Sequence, residues 1–132
     1  MISVPERLQY LLKKETQAFA FLALTLKDGS PQVTPIWFDW DGTHLILNTA
    51  RGRVKDKVMK RKARVALCIV APQDPYQYLQ FRGTVASETE DGGYDMICSL
   101  NEKYHGDRNY PKRPGEVRVT YMIRPDQIFP KQ

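Results

Sequence analysis

Along most of this chain, apolar and polar positions alternate or fall into short apolar blocks, the period of strands, and few segments keep the period of a helix. The first is helical: after Pro5, a favourable first helical residue, Leu8, Leu11 and Leu12 recur on one face. "AFAFLALTL", Ala18 to Leu26, is apolar at both alternating sets of positions and runs into the turn signal "KDGS", which predicts a strand covered on both sides that enters a hairpin. "PQVTPIWFDW" is the return strand, and Asp41–Gly42 turns again into "THLILNT", so three consecutive strands in a meander are expected. A helix is predicted from about Arg53 to Lys62, with Val54, Val58 and Met59 inward, followed by the strand "RVALCIV", a loop "APQDP" and a long half-buried strand "YQYLQFRGTVASE". A second amphipathic helix, about Gly92 to Tyr104, aligns Tyr94, Ile97, Leu100 and Tyr104; the loop "HGDRNYPKRP" then leads to a last strand, "EVRVTYMIRPDQIF".

The predicted class is mainly β (α+β), with six to seven antiparallel strands and two or three short helices in one domain spanning 1–132. The first three strands lack crossover helices, which argues against a parallel doubly wound sheet. Strands apolar on both faces need cover on both sides, and a small barrel with helices or a partner subunit packed outside supplies it.

Formal net charge is +5, but the stretch "NTARGRVKDKVMKRKAR", Asn48 to Arg64, holds eight basic residues and one acid. That stretch carries +7, so the rest of the chain is left at −2 and the basic character is local. Cys68 and Cys98 show no metal-ligand or redox spacing and read as buried free thiols. No apolar run approaches the length of a membrane span and the charged N-terminus does not read as a signal peptide, so a cytoplasmic protein is expected. No nucleophile motif appears, and the cluster Glu88, Glu90, Asp91 reads as helix capping and solvation. Two histidines without a carboxylate motif do not make a metal enzyme. Any redox or transfer chemistry therefore calls for a cofactor.

Within the basic stretch, Lys57, Lys60, Arg61 and Lys62 fit a solvated helix face. Arg51, Arg53 and Lys55 do not, because they cluster where the helix macrodipole is already positive and backbone N–H groups lack partners. Something negative is expected among them, and a phosphate fits, with Thr49 as a hydroxyl donor and Gly52 allowing close backbone approach. Nucleic acid fits less well, because no aromatic residue is interleaved with these cations to stack bases. Trp37, Phe38, Trp40, Tyr76 and Tyr78 read as exposed aromatics on nearby strands, so a flat ring with a phosphate tail is the matching ligand shape.

The D-G-x-P-x-V-x-P-x-W hairpin, "NTARGRVK", "KARVA" and the Y-x-x-x-R-G strand together resemble the pyridoxamine 5′-phosphate oxidase-like split β-barrel proteins, in particular their small flavin- or deazaflavin-dependent oxidoreductases. The resemblance runs over nearly the whole chain. It implies a homodimer of FMN-binding split-barrel type, with cofactor in clefts between subunits and a small organic molecule as hydride donor or acceptor. The segment matching Asn48, Thr49, Arg53 and Lys55 holds the cofactor phosphate in such proteins, and Thr34, Pro35, Ile36 and Trp37 lie along the ring. Core packing is the rival role for Trp37. Tyr78 and "KYHGDRNY" approach the ring or substrate from either subunit. True pyridoxamine phosphate oxidases carry an arginine before the phosphate segment and an Arg/His motif at the C-terminus; this chain reads "VTPIWFD" and "IRPDQIFPKQ" there, so vitamin B6 oxidation is not expected. The resemblance points to coenzyme F420 or FMN. Non-catalytic cofactor storage is the alternative function, and a nucleic-acid-binding barrel the third.

Overall fold

The structure, a computed structural model, describes residues 2–131. Its strands are β1 (Phe19–Thr25), β2 (Pro31–Ile36), β3 (Asp39–Trp40), β4 (Leu45–Ala50), β5 (Arg64–Ala71), β6 (Asp74–Thr89) and β7 (Arg118–Phe129). Two α-helices, α1 (Val54–Met59) and α2 (Gly93–His105), and two 3-10 segments, Glu6–Leu12 and Lys14–Thr16, complete the described elements. All seven strands form one antiparallel sheet in the order β2-β1-β5-β6-β7-β4-β3.

Residues paired across antiparallel neighbours share a face, so the register separates inside from outside. One row reads Thr34, Leu22, Leu67, Phe81 and Ile128 across β2, β1, β5, β6 and β7, and the last four are buried in the core. The next row reads Pro35, Phe21, Cys68, Gln80 and Phe129, with Phe21 40% and Phe129 53% exposed. The inner face closes on itself with Tyr121, Leu45, Leu47 and the N-terminal leucines Leu8, Leu11 and Leu12 in the same core. Irregularities in the β6–β7 ladder beside Gly83 and Val85 help the sheet to bend. Gly83 itself is required there, because a Cβ would collide with the Arg124 carbonyl on β7.

Several expectations are corrected. The first three strands do not form a meander: β1 and β2 pair as a hairpin, but the chain then crosses to the far edge, where β3 pairs with β4. The crossing segment is held by α2, since the Phe38 amide donates to the Tyr104 hydroxyl and Lys103 Nζ donates to the Phe38 carbonyl at 2.7 Å. Phe38 is thereby wholly buried rather than exposed, and the Lys103 ammonium lies 3.7 Å from its ring centroid. Burial pushes the Lys103 ammonium down to about 8.

The N-terminal helix is of the 3-10 type, whose three-residue turn suits the Leu8–Leu11 spacing. α1 is shorter than expected: the chain leaves it after Met59 and Lys62 takes a positive φ of 55°. Val54, at its first position, is 48% exposed, whereas Val58 and Met59 pack inward. The "APQDP" loop contracts to a tight turn at Pro72–Gln73, because Ala71 already pairs with Asp74. Tyr94 points outward and donates to the Tyr110 carbonyl at 2.6 Å.

Candidate functional site

Rolling the sheet brings its two edges to one cleft. From β2 and the residue after it come Pro35, Ile36 and Trp37; from the other side come Asn48 and Thr49 of β4, with Arg53 and Lys55 at the start of α1. Phe19, Ile97, Tyr110 and Arg118 complete a cleft of about 420 Å³. The strands contributing Pro35 and Thr49 are far apart in sheet order, so only curvature can bring them together.

The cleft has two chemically different ends. Phe19, Pro35, Ile36, Trp37 and Ile97 make an apolar wall. Its stiffness comes from a three-ring stack in which Tyr104 lies between Trp37 and Phe19, each centroid 5.2 Å away and nearly parallel. The Tyr104 hydroxyl donates to the Ala18 carbonyl at 2.7 Å, and His105 meets the Trp37 ring edge-on. Trp37 thus both packs against α2 and faces the cleft.

Arg53, Lys55 and Arg118 supply the other end. Lys55 has no carboxylate partner among the described residues, and burial together with the neighbouring Arg53 charge holds its ammonium below the ordinary lysine value. Arg53 is half exposed and reaches Glu116 only at 3.5 Å. Arg118 is 7% exposed; its Nε donates to Asn48 Oδ1 at 2.8 Å, and its guanidinium carbon lies 5.4 Å from the Tyr110 ring centroid. Asn48 is committed on its other side as well, because Nδ2 donates to the Gly93 carbonyl at 2.9 Å and reaches Thr120 Oγ1 at 3.3 Å. With its amide group so engaged, Asn48 orients Arg118. Gly93 lets α2 lie against β7 here, since a Cβ would strike the Arg118 carbonyl.

Arg51 corrects the sequence reading. It does not join the cleft cations: its guanidinium donates to Asp56 at 2.9 Å, Glu88 at 2.9 Å and Glu90 at 2.8 Å. Glu88 and Glu90 are thus its ion-pair partners rather than helix caps. Asp56 also accepts from the Gly52 amide and the Tyr121 hydroxyl. Burial pulls the Asp56 carboxyl up, but these donors and Arg51 outweigh it and hold it below the usual carboxylate range. Burial and Asp56 push the Tyr121 hydroxyl up.

Of the nine nominated residues, the cleft gathers Pro35, Ile36, Trp37, Asn48, Thr49, Arg53 and Lys55. Thr34 faces the inner row beside it, with a buried Oγ1 that has no hydrogen-bond partner among the described residues. Tyr78 is not brought there within one chain; it pairs with Val70 on β5, which in turn pairs with Phe19, and its ring faces Phe129 at 6.3 Å. Sequence reasoning did not nominate Phe19, Ile97 or Arg118. Tyr110 was reached as the last residue of "KYHGDRNY", and the structure places it in the cleft.

A single rolled antiparallel sheet whose two edges flank one cleft defines the class of small split barrels. The chain belongs to the pyridoxamine 5′-phosphate oxidase family, whose family model matches residues 4–129. A solved structure described as an F420 reductase is similar at 33% identity over 95% of this chain and 98% of its own, with a TM-score of 0.82. A conserved hypothetical protein of Mycobacterium tuberculosis, Rv2991, shares the fold at 21% identity, covering 96% of this chain and 84% of its own, with a TM-score of 0.70. An FAD and heme binding protein of Mycobacterium smegmatis does so at 16% identity, covering 96% and 70%, with a TM-score of 0.67. Among curated proteins none matches by sequence. No described helix is long and apolar enough to cross a membrane.

Proposed function

We propose that this protein is an oxidoreductase whose cleft binds coenzyme F420 or FMN and passes a hydride to or from a small organic molecule. The observation that carries this reading is the polarity of the cleft: an apolar wall stiffened by stacked rings at one end, and Arg53, Lys55 and Arg118 at the other. The donor set fits a ring with an anionic tail. A lysine with no carboxylate partner among the described residues, held beside an arginine, gains most from a phosphate that both can touch. The similar F420 reductase supports the deazaflavin, and the family supports a flavin.

When bound, the ring supplies the hydride chemistry. The chain's own residues do the rest. Thr49, Arg53 and Lys55 fix the tail, and Pro35, Ile36 and Trp37 set the plane of the ring and keep water from one of its faces. In this role no side chain has to move a proton, because rate comes from positioning. A homodimer completes the reading. Phe19, Phe21, Val33 and Phe129 leave the outer face apolar and uncovered, Phe19 belongs to both that face and the cleft, and a second copy laid there would close the cleft and bring Tyr78 near it.

The test is equilibrium binding of FMN and of F420, measured separately by absorbance and fluorescence, with sedimentation to give the oligomeric state. Submicromolar binding of one of them by a dimer, with reoxidation of the bound reduced form by quinones or enoyl compounds, is the expected result. Binding of neither removes the reading, and binding without turnover leaves a storage protein.

A further inference from the structure

A carboxylate stands beside the cationic end of the cleft, against Arg53 and Arg118 of its lining. Glu116 lies just before β7, placed by the Pro114–Gly115 turn that its amide closes onto the Arg113 carbonyl at 3.1 Å. Its side chain is only 13% exposed. It faces three guanidinium groups at long range: Arg53 at 3.5 Å, Arg118 at 3.5 Å and Arg113 at 3.9 Å. None of these is a short, well-formed pair, in contrast with the 2.8 to 2.9 Å contacts around Arg51. Arg118 is buried and turned into the cleft, its Nε bound to Asn48 and its Nη1 only loosely engaged by Glu116. Its remaining guanidinium donors have no protein partner among the described residues.

We propose that Arg118 is a phosphate ligand of the cleft and that Glu116 is a built-in competitor that sets which phosphate the cleft prefers. The proposal rests on the cofactor reading above and names the determinant of choice within it. Arg53, Lys55 and Arg118 bring three positive charges to the cleft, and Glu116, shared with the more distant Arg113, offsets up to one of them, leaving the cleft end between about +2 and +3. A phosphate ester of one charge, the diester linkage of a deazaflavin tail, sits against this set with one carboxylate repelling one anion. A phosphomonoester such as that of FMN brings close to two charges at neutral pH and meets about twice the repulsion from the same carboxylate. Glu116 therefore favours a diester over a monoester without touching the ring.

The deciding experiment compares the wild-type protein with Glu116→Gln, which keeps the shape and removes the charge. FMN, F420, inorganic phosphate and dimethyl phosphate are titrated separately, the last two followed by the rise in melting temperature. Glu116→Gln is expected to tighten FMN and inorganic phosphate by about three- to tenfold, the scale of one charge–charge repulsion at about 4 Å in water, and F420 and dimethyl phosphate by less. Arg118→Lys, which keeps the charge but loses the fork, is expected to weaken all four ligands while Glu116→Gln strengthens them. Unchanged or weaker binding by Glu116→Gln, or equal tightening of monoester and diester, overturns the proposal and leaves Glu116 as a structural ion-pair partner. Failure of FMN and F420 to bind the wild type would instead sink the cofactor reading, and the inorganic phosphate and dimethyl phosphate arms would still decide the role of Glu116.

Discussion

Arg51 and Arg53 are two residues apart and have opposite surroundings. Arg51 is held by Asp56, Glu88 and Glu90, which meet its three guanidinium nitrogens, one each, at hydrogen-bond distance. Arg53, with Lys55 beside it and Arg118 opposite, has one distant carboxylate and an open cleft. Both arginines come from one segment, "ARGRVK", and a count of charge treats them alike. Their partners separate them: a cation saturated by its own chain holds the fold, and a cation left short of counter-charge is available to a ligand.

The strongest way to break this contrast is Arg51→Ala. It strands the buried Asp56 carboxylate with Glu88 nearby, and is expected to cost about 3 kcal/mol of unfolding free energy, the range for removing one member of a buried pair. Any loss of cofactor affinity should follow the loss of folded protein; a variant that unfolds normally but binds no cofactor would move Arg51 into the site. Acid probes the same cluster. The Asp56 carboxyl lies below its unfolded value, so its contribution is present above the ordinary carboxylate range and is lost as pH falls through the folded value. Denaturant titrations from pH 6 to pH 2 should show a steep decline in the wild type and a shallower one in Asp56→Asn.

Lys55→Ala asks the opposite question. Its ammonium is partly desolvated beside Arg53, so removal should leave stability within about 0.5 kcal/mol of the wild type. Cofactor binding should weaken by about 1 to 3 kcal/mol, the range for hydrogen bonds to charged groups. Unchanged affinity would end the assignment of the tail to this end of the cleft.

Why the contrast escaped the sequence is a matter of distance along the chain. Glu88 and Glu90 lie 37 and 39 residues from Arg51, and nothing local links them. The same holds elsewhere. Apolar alternation located the strands, because it depends on neighbours two apart, and the antiparallel class followed. Strand order did not, because the departure of the chain after Ile36 is imposed at Phe38 by Lys103 and Tyr104 of α2, 65 and 66 residues further on. In the candidate site, Asn48, Thr49, Arg53 and Lys55 were visible because one short segment carries them. Arg118, Ile97 and Phe19 were not, since each arrives on a different element and reads locally as strand or helix filler.

The smallest expected effect is the sharpest control. Lys57 and Lys60 belong to the same basic run, yet both are exposed, Lys57 on α1 and Lys60 just after it, and form no ion pair among the described residues. If charge count governed binding, Lys57→Ala combined with Lys60→Ala would weaken the cofactor more than Lys55→Ala, since it removes two cations rather than one. If partner accounting governs, the double variant should change stability by no more than about 0.5 kcal/mol and affinity by less than about twofold at 0.15 M salt, where exposed charges beyond a Debye length are screened. Repeating the measurement at about 0.01 M salt separates the two further. Long-range attraction would then return for Lys57 and Lys60, while the loss in Lys55→Ala, if it reflects direct contact, would remain at either ionic strength.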